Sequence, residues 1–133
     1  MAHLDKVGAF LLMAAVMATP AFGQARGYVV NGEGWNRMAP AERVAYAQGL
    51  NDVANFPYSD DDLTTAVIKV ARTRCLAENK IAPNMLSDII TNGYTSRAEW
   101  AKESPLFIYV VRLAEICRPI INEERARMGL PPQ

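Results

Sequence analysis

The sequence predicts an all-α fold: a small four-helix domain with one disulfide, preceded by a cleaved signal peptide. Apolar residues recur at spacings of three and four in four separate segments, which is the period of a helix that buries one face. No segment has the pattern of a strand hairpin, and a length of 133 residues allows one domain. The organisation that follows is a signal peptide, an arm, a helical domain and a short tail.

The N-terminus is expected to be a signal peptide that covers residues 1–23. The apolar run 7–19 is too short to span roughly 30 Å of hydrocarbon, because a helix rises only about 1.5 Å per residue. Ala21 and Gly23 place small side chains ahead of a cut before Gln24, the spacing that signal peptidase accepts. An uncleaved N-terminal anchor is the alternative.

Residues 24–38 are expected to form an irregular N-terminal arm, extended and ending in a short ordered turn, because they are rich in glycine and asparagine and show no sustained helical period. The helical domain then covers residues 39–128. Its first helix is predicted over 40–54, since proline suits the first turn of a helix and Phe56-Pro57 ends it.

The second helix is predicted to start after Ser59-Asp60-Asp61-Asp62. Carboxylates at this position accept hydrogen bonds from the free amides of the first turn and oppose the positive end of the helix dipole. A calcium site is the alternative for the three aspartates, although the ligand spacing of an EF-hand loop is absent. The apolar stripe of this helix places Cys75 on its buried face.

The third helix is predicted over 83–92, with Gly93 as a left-handed C-terminal cap. Ser96 and Glu99 then suggest a capping box on a single turn that presents Trp100. The fourth helix opens with Ser104-Pro105 and runs to about residue 127, kinked by Pro119, which lacks an amide hydrogen. Residues 129–133 form a tail.

Charge and histidine content exclude several function classes. Fourteen lysines and arginines balance 14 aspartates and glutamates, so the chain lacks the excess of positive charge that general nucleic-acid binding requires. Cleavage of the signal peptide also removes His3, the only histidine. No imidazole then remains for a Ser-His-Asp triad, a Cys-His pair or a zinc site. We therefore predict that the protein is not an enzyme and has no cofactor and no metal.

Cys75 and Cys117 are the only cysteines, 42 positions apart, with neither CxxC spacing nor further ligands for a metal. In an oxidising compartment, two cysteines in a small domain are expected to form a disulfide. Two free buried thiols are the alternative.

Two stretches resemble a family pattern. The first is similar to a stretch of small exported bacterial proteins of unknown or inhibitory role, and its residues are Asn31-Gly32, Trp35, Met38, Glu42-Arg43, Tyr46, Gly49 and Asp52. The second resembles the helix–Cys–loop–helix layout of immunity proteins that neutralise type VI secretion amidase toxins in the periplasm, and its residues are Cys75, Pro83, Leu86, Ile89, Ile90 and Cys117. This resemblance implies a periplasmic inhibitor that occludes an enzyme cleft.

We interpret four residues of the first stretch, Trp35, Tyr46, Gly49 and Asp52, as a structural motif. Trp35 needs a place to bury its ring beside the first helix, and Gly49 would allow close approach of another helix.

Aromatic residues concentrate around the connection between the third and fourth helices. Most of this area is expected to be core, yet Tyr and Trp on a loop are also the residue types that anchor interfaces. The candidate interface residues are Tyr94, Trp100 and Tyr109.

The predicted function is that of a secreted or periplasmic module that binds another protein. We expect it to contact a membrane only during export, and the sequence is compatible with an oligomer. A periplasmic acid-stress chaperone is one alternative, because protonation of the carboxylates at low pH leaves the cations uncompensated and their repulsion exposes apolar helix faces. A hydrolase that acts on periplasmic glycan through Glu115 is another.

Overall fold

A computed structural model describes residues 29–133. Within this range the chain forms five α-helices and one 3-10 helix and no strand, which confirms the all-α class. The helices are α1 (Gly32–Arg37), α2 (Pro40–Asn55), α3 (Leu63–Glu78), α4 (Pro83–Ser96) and α5 (Pro105–Arg127), with the 3-10 helix Ala98–Lys102 between α4 and α5. The expected signal peptide and residues 24–28 of the arm lie outside the described residues.

The predicted irregular arm contains a helix, so the domain has five α-helices and not four. Asn31 caps α1 by accepting a hydrogen bond from the amide of Gly34 at 2.9 Å. Trp35 at the centre of α1 is fully buried, and its indole nitrogen donates to the Thr91 hydroxyl at 3.0 Å. Tertiary packing of this single ring therefore outweighs the low helix propensity of the two glycines in α1.

The predicted starts of the other helices are confirmed. Proline occupies the first position of α2, α4 and α5. At α2 the carboxylate of Glu42 accepts from the amide of Ala39 at 2.7 Å, and at α3 the carboxylate of Asp62 accepts from the amide of Thr65 at 2.7 Å. The Ser104 hydroxyl accepts from the amide of Phe107 at the start of α5. These caps satisfy amides that lack an acceptor within the helix.

The predicted end of the third helix was wrong. Gly93 does not cap the helix, because α4 continues to Ser96. Gly93 is buried where α4 crosses α5, and a Cβ atom there would lie 2.3 Å from Cγ2 of Ile108. The capping box does not form either, since the Ser96 hydroxyl donates to the carbonyl of Gly93 and the 3-10 helix has no side-chain cap.

The core has two parts. The larger cluster is formed by buried residues of α1, α2, α4 and α5 and by Trp100 of the 3-10 helix. It centres on Trp35, Ile90, Ile108, Tyr109 and Leu113. The smaller cluster joins α3 to α5 through Ala71, Cys75, Cys117 and Ile121. The predicted disulfide between Cys75 and Cys117 is present, with both cysteines fully buried. Pro119 lies inside α5, which continues to Arg127.

Ion pairs reinforce the contact between α3 and α5. Arg74 donates to the carboxylates of Glu124 at 2.6 Å and Glu123 at 3.0 Å on α5, and to Glu78 on its own helix at 2.6 Å. The side chain of Arg127 also binds Glu123. The disulfide and this network lie on the same pair of helices, so α3 and α5 form the most strongly tied unit of the fold.

Candidate protein-binding site

The three residues predicted to form the interface lie in the core. Tyr109 is fully buried, and Tyr94 and Trp100 expose 9% and 8% of their surface. The Tyr94 hydroxyl donates to the carbonyl of Glu103 at 2.8 Å, and the Tyr109 hydroxyl donates to Oδ1 of Asn51 at 2.8 Å. Burial raises the pKa of both hydroxyls, so both remain protonated donors. These side chains therefore belong to the core, because an aromatic body with a polar tip also suits a core that offers the tip a partner, and their role in an interface stays a prediction.

The structural-motif residues divide between core and surface. Trp35 is buried and its ring meets Tyr46 edge-on at 6.2 Å between centroids, as the sequence interpretation required. Gly49 and Asp52 are exposed on α2. No atom lies within 4 Å of the position of a Gly49 Cβ, so the predicted close approach of another helix at Gly49 was wrong.

The aromatic side chains most exposed within residues 29–133 belong to the connection between α2 and α3. We call residues 56–62 the aromatic loop. Phe56 exposes 57% of its surface and Tyr58 exposes 49%, and their rings meet edge-on at 5.2 Å between centroids. In the sequence, Phe56-Pro57 indicates only the end of a helix. The available signal was two aromatic residues in a polar connection without any helical period to bury them.

A salt bridge orders the aromatic loop. Both carboxylate oxygens of Asp61 accept from Nζ of Lys69, at 2.8 and 2.7 Å, and one of them also accepts from the amide of Tyr58 at 2.9 Å. The hydrogen bond from Lys69, followed by the one from the Tyr58 amide, lowers the pKa of Asp61. Nζ of Lys69 also lies 4.4 Å from the centre of the Tyr58 ring, a cation–π contact. Tyr58 is thus exposed and yet fixed in position.

The aspartate run has structural roles at two of its three members. Asp61 pairs with Lys69, and Asp62 caps α3, as the helix-cap interpretation expected. Within residues 29–133 no group of three or more His, Cys, Asp and Glu side chains is arranged to hold a metal ion.

A partly buried polar network fixes the other end of the aromatic loop. Asn55, the last residue of α2, donates from its amide nitrogen to the Tyr109 hydroxyl at 2.9 Å and to Oδ1 of Asn51 at 2.9 Å. Arg72 of α3 is buried and donates from Nη2 to the carbonyl of Ala54 at 2.8 Å. Burial lowers the pKa of Arg72. The backbone immediately before Phe56 is therefore held by both α3 and α5.

A second apolar surface lies at the start of α5. Leu106, Phe107 and Val110 each expose about two fifths of their surface. The Phe107 ring meets the buried Trp100 edge-on at 5.9 Å between centroids. We call these three residues the α5 strip, and it retains one exposed aromatic from the region where the sequence predicted an interface.

An open groove of about 430 Å³ lies between α2, α3 and α4. Its lining combines apolar and polar side chains, among them Leu76, Ile81, Leu86, Asp52, Thr73 and Lys80. This volume falls in the range of small-molecule sites, but the groove lacks the enclosure that buries most of a ligand. Glu115, the residue of the hydrolase alternative, lies on α5 and does not line this groove. Its carboxylate pairs with Arg97 and Arg112.

The helices of residues 29–133 include no segment long and apolar enough to cross a bilayer. The chain matches no known family model, no curated protein and no solved structure. The resemblance to immunity proteins therefore stays a prediction from sequence, and a functional proposal rests on the surface chemistry described above.

Proposed function

We propose that the protein is a secreted or periplasmic, non-enzymatic module that binds another protein, in its sharpest form an immunity-like inhibitor of a periplasmic enzyme. The observation that carries this proposal is the aromatic loop, in which Phe56 and Tyr58 are exposed on an ordered connection. Aromatic side chains are enriched among the residues that dominate binding energy at interfaces. A loop ordered before binding also loses less conformational entropy when it docks.

Two further observations support an exported binding module. A buried disulfide is compatible with an extracellular or periplasmic location, where thiols oxidise. The proposed export step, with cleavage after residue 23, would place the chain there. The aromatic loop lies between two helices that are fixed to α5, so it is suited to insert into a cleft as a rigid element.

The test is affinity capture from a cell-envelope extract with the oxidised mature chain, residues 24–133, followed by mass spectrometry. We expect the chain to recover a specific enzyme and to inhibit the purified enzyme. The double variant Phe56→Ala/Tyr58→Ala should recover at least tenfold less of it, because truncation of two interface anchors removes most of the contact energy. Met85→Ala, which truncates an exposed apolar side chain on α4, should recover the wild-type amount.

Circular dichroism of each variant separates loss of binding from loss of fold. If the loop variant folds and still captures the enzyme at the wild-type level, the aromatic loop is not the interface. If Phe107→Ala alone abolishes capture, the α5 strip binds the partner. Capture of an enzyme without inhibition of its activity would contradict the immunity-like form of the proposal, but it would still support a protein-binding module.

The acid-stress chaperone is a second candidate, and the ion pairs between α3 and α5 favour it. Arg74 meets three carboxylates, and its hydrogen bond lowers the pKa of Glu123. Protonation of these carboxylates in strong acid would leave the arginines unpaired and loosen the contact around the disulfide. Light scattering of an aggregating client at about pH 2 to 3 tests this function. Unchanged client aggregation would eliminate it.

A further inference from the structure

We propose that the partner of the aromatic loop presents a basic surface and places an arginine side chain against Phe56 with Asp60 beside it. This inference rests on the proposed function for the presence of a protein partner. It adds the chemistry of that partner, which the aromatic side chains alone do not specify.

The charge around the aromatic loop is strongly one-sided. Residues 49–68 contain four aspartates, Asp52, Asp60, Asp61 and Asp62, and neither lysine nor arginine. The nearest cations in sequence after this stretch are already engaged, because Lys69 pairs with Asp61 and Arg72 is buried against the carbonyl of Ala54. In the sequence, three exposed aspartates therefore precede or follow Phe56 and Tyr58 closely, and no lysine or arginine lies among them.

The position of these carboxylates matches the exposed rings. The amide of Phe56 donates to the carbonyl of Asp52 at 3.0 Å, so Asp52 lies one helical turn before the ring. Asp60 and Asp62 follow Tyr58 within the loop. An acidic partner would meet like charge at this surface, whereas a basic partner gains complementary charge and faster association.

The loop already shows how it accommodates a cation. Lys69 contacts both the Tyr58 ring and the Asp61 carboxylate, so one aromatic face and one carboxylate bind the same positive group. Phe56 offers a second, more exposed ring, and Asp60 is an exposed carboxylate next to Asp61. A planar guanidinium stacks on an aromatic ring while its N–H groups bind carboxylates, which makes arginine the best match for an exposed ring in a loop rich in aspartate.

The test is a two-dimensional NMR titration of the oxidised mature chain with N-acetyl-tetraarginine amide as the probe and N-acetyl-tetraglutamate amide as the matched control. We expect tetraarginine to shift amide signals of residues 52–63 and tetraglutamate to leave them in place. Raising sodium chloride from 50 to 300 mM should weaken the interaction, because salt screens exposed charges.

Variants separate the ring from the charges. Phe56→Ala should weaken tetraarginine binding about two- to fivefold, the range of an exposed cation–π contact. Asp60→Asn/Asp62→Asn should weaken it by a similar factor, and asparagine at 62 preserves the cap of α3. The matched controls Phe107→Ala and Asp88→Asn, which change an exposed aromatic and an exposed aspartate on other helices, should bind as the wild type does.

The outcomes distinguish this inference from the proposed function. Shifts spread over all acidic surfaces, equal shifts with tetraglutamate, or no effect of Phe56→Ala would overturn the basic-partner inference. If the aromatic loop captures an enzyme but does not bind tetraarginine, the basic-partner inference is also overturned, whereas the proposed function is retained. Loop-specific tetraarginine binding supports the inference even where no protein is captured, and the failed capture then counts against the proposed function alone.

Discussion

At the residue scale, Gly93 lies where α4 and α5 approach each other so closely that no side chain fits between them. A Cβ atom there would lie 2.3 Å from Cγ2 of Ile108, and Ile108 is fully buried. We expect Gly93→Ala to lower the free energy of unfolding by about 1–3 kcal/mol, because the core has to shift to admit a methyl group. Urea denaturation followed by circular dichroism measures this change. An unchanged midpoint would mean that α4 and α5 can move apart at this position without a cost in stability.

Gly49 provides the matched comparison, since it also lies inside a helix but faces open space. Gly49→Ala is expected to raise the free energy of unfolding by about 0.5–1 kcal/mol, because alanine loses less backbone entropy in a helix. The same denaturation experiment should therefore move the two midpoints in opposite directions. Destabilisation by Gly49→Ala would indicate a contact at this face.

Lys80 is the non-glycine residue with a positive φ, 51°, among residues 29–133. It follows α3 in a left-handed turn in which the amide of Ile81 donates to the carbonyl of Leu76. Glycine adopts this conformation without a Cβ clash, so Lys80→Gly should stabilise the protein by about 0.5–1 kcal/mol. Thermal unfolding checks the prediction, with Lys80→Ala as the control that removes the charge and retains the Cβ. Equal effects of the two variants would attribute the gain to charge.

At the scale of elements, the Asp61–Lys69 salt bridge determines how the aromatic loop responds to acid. The folded state lowers the pKa of Asp61 below its ordinary value of 3.8. The stabilisation that follows is therefore fully present above that ordinary value and is lost as the pH falls through the lowered value. We expect Asp61→Asn to be less stable than the wild type at pH 7.

The difference between wild type and Asp61→Asn should stay constant from neutral pH to about pH 5 and close only below pH 3.8. Urea denaturation at a series of pH values measures it, and Asp60→Asn, which changes an exposed neighbour, is the control. A difference that grows toward acid pH would show that the carboxylate destabilises the loop.

Helix starts were predictable from sequence because their causes are local. A proline or a capping side chain next to an apolar period determined the beginnings of α2, α3, α4 and α5. The helix α1 and the true end of α4 were not predictable in this way. Both depend on tertiary packing, of Trp35 against Thr91 and Tyr46 in one case and of Gly93 against Ile108 in the other.

The candidate site was less predictable than the fold for the same reason. Tyr109 and Phe56 are both aromatic residues near a helix end, and the sequence does not show that one is fully buried and the other is largely exposed. The difference comes from the hydrogen bonds of Asn55 and Asn51 to the Tyr109 hydroxyl, which join residues more than 50 positions apart. The pairing of the cysteines was predictable because the sequence offered only two.

At the scale of the whole molecule, the disulfide and the Arg74 network that tie α3 to α5 involve no residue of the aromatic loop. The disulfide and the Arg74 network join α3 to α5, and the aromatic loop lies at the start of α3. Substitutions in the loop therefore leave the contacts between α3 and α5 in place. Under the proposed function, this arrangement would allow the loop residues to change with the partner while the scaffold is retained.

The disulfide is expected to provide a large share of the stability of this scaffold. It links positions separated by 42 residues. Closing a loop of this length reduces the entropy of the unfolded chain and so raises the free energy of unfolding by about 4 kcal/mol, whereas the total free energy of unfolding of a small domain is roughly 5–15 kcal/mol. Addition of dithiothreitol should lower the free energy of unfolding by about this amount, as measured by urea denaturation of the oxidised and reduced protein.

The double variant Cys75→Ala/Cys117→Ala is the control for that measurement, because it should match the reduced protein within about 1 kcal/mol and show no response to dithiothreitol. Since neither cysteine lies near the aromatic loop in sequence, the fraction of this variant that remains folded should bind tetraarginine as the wild type does. Loss of that binding in folded, disulfide-free protein would show that the cross-link shapes the loop as well as stabilising the domain.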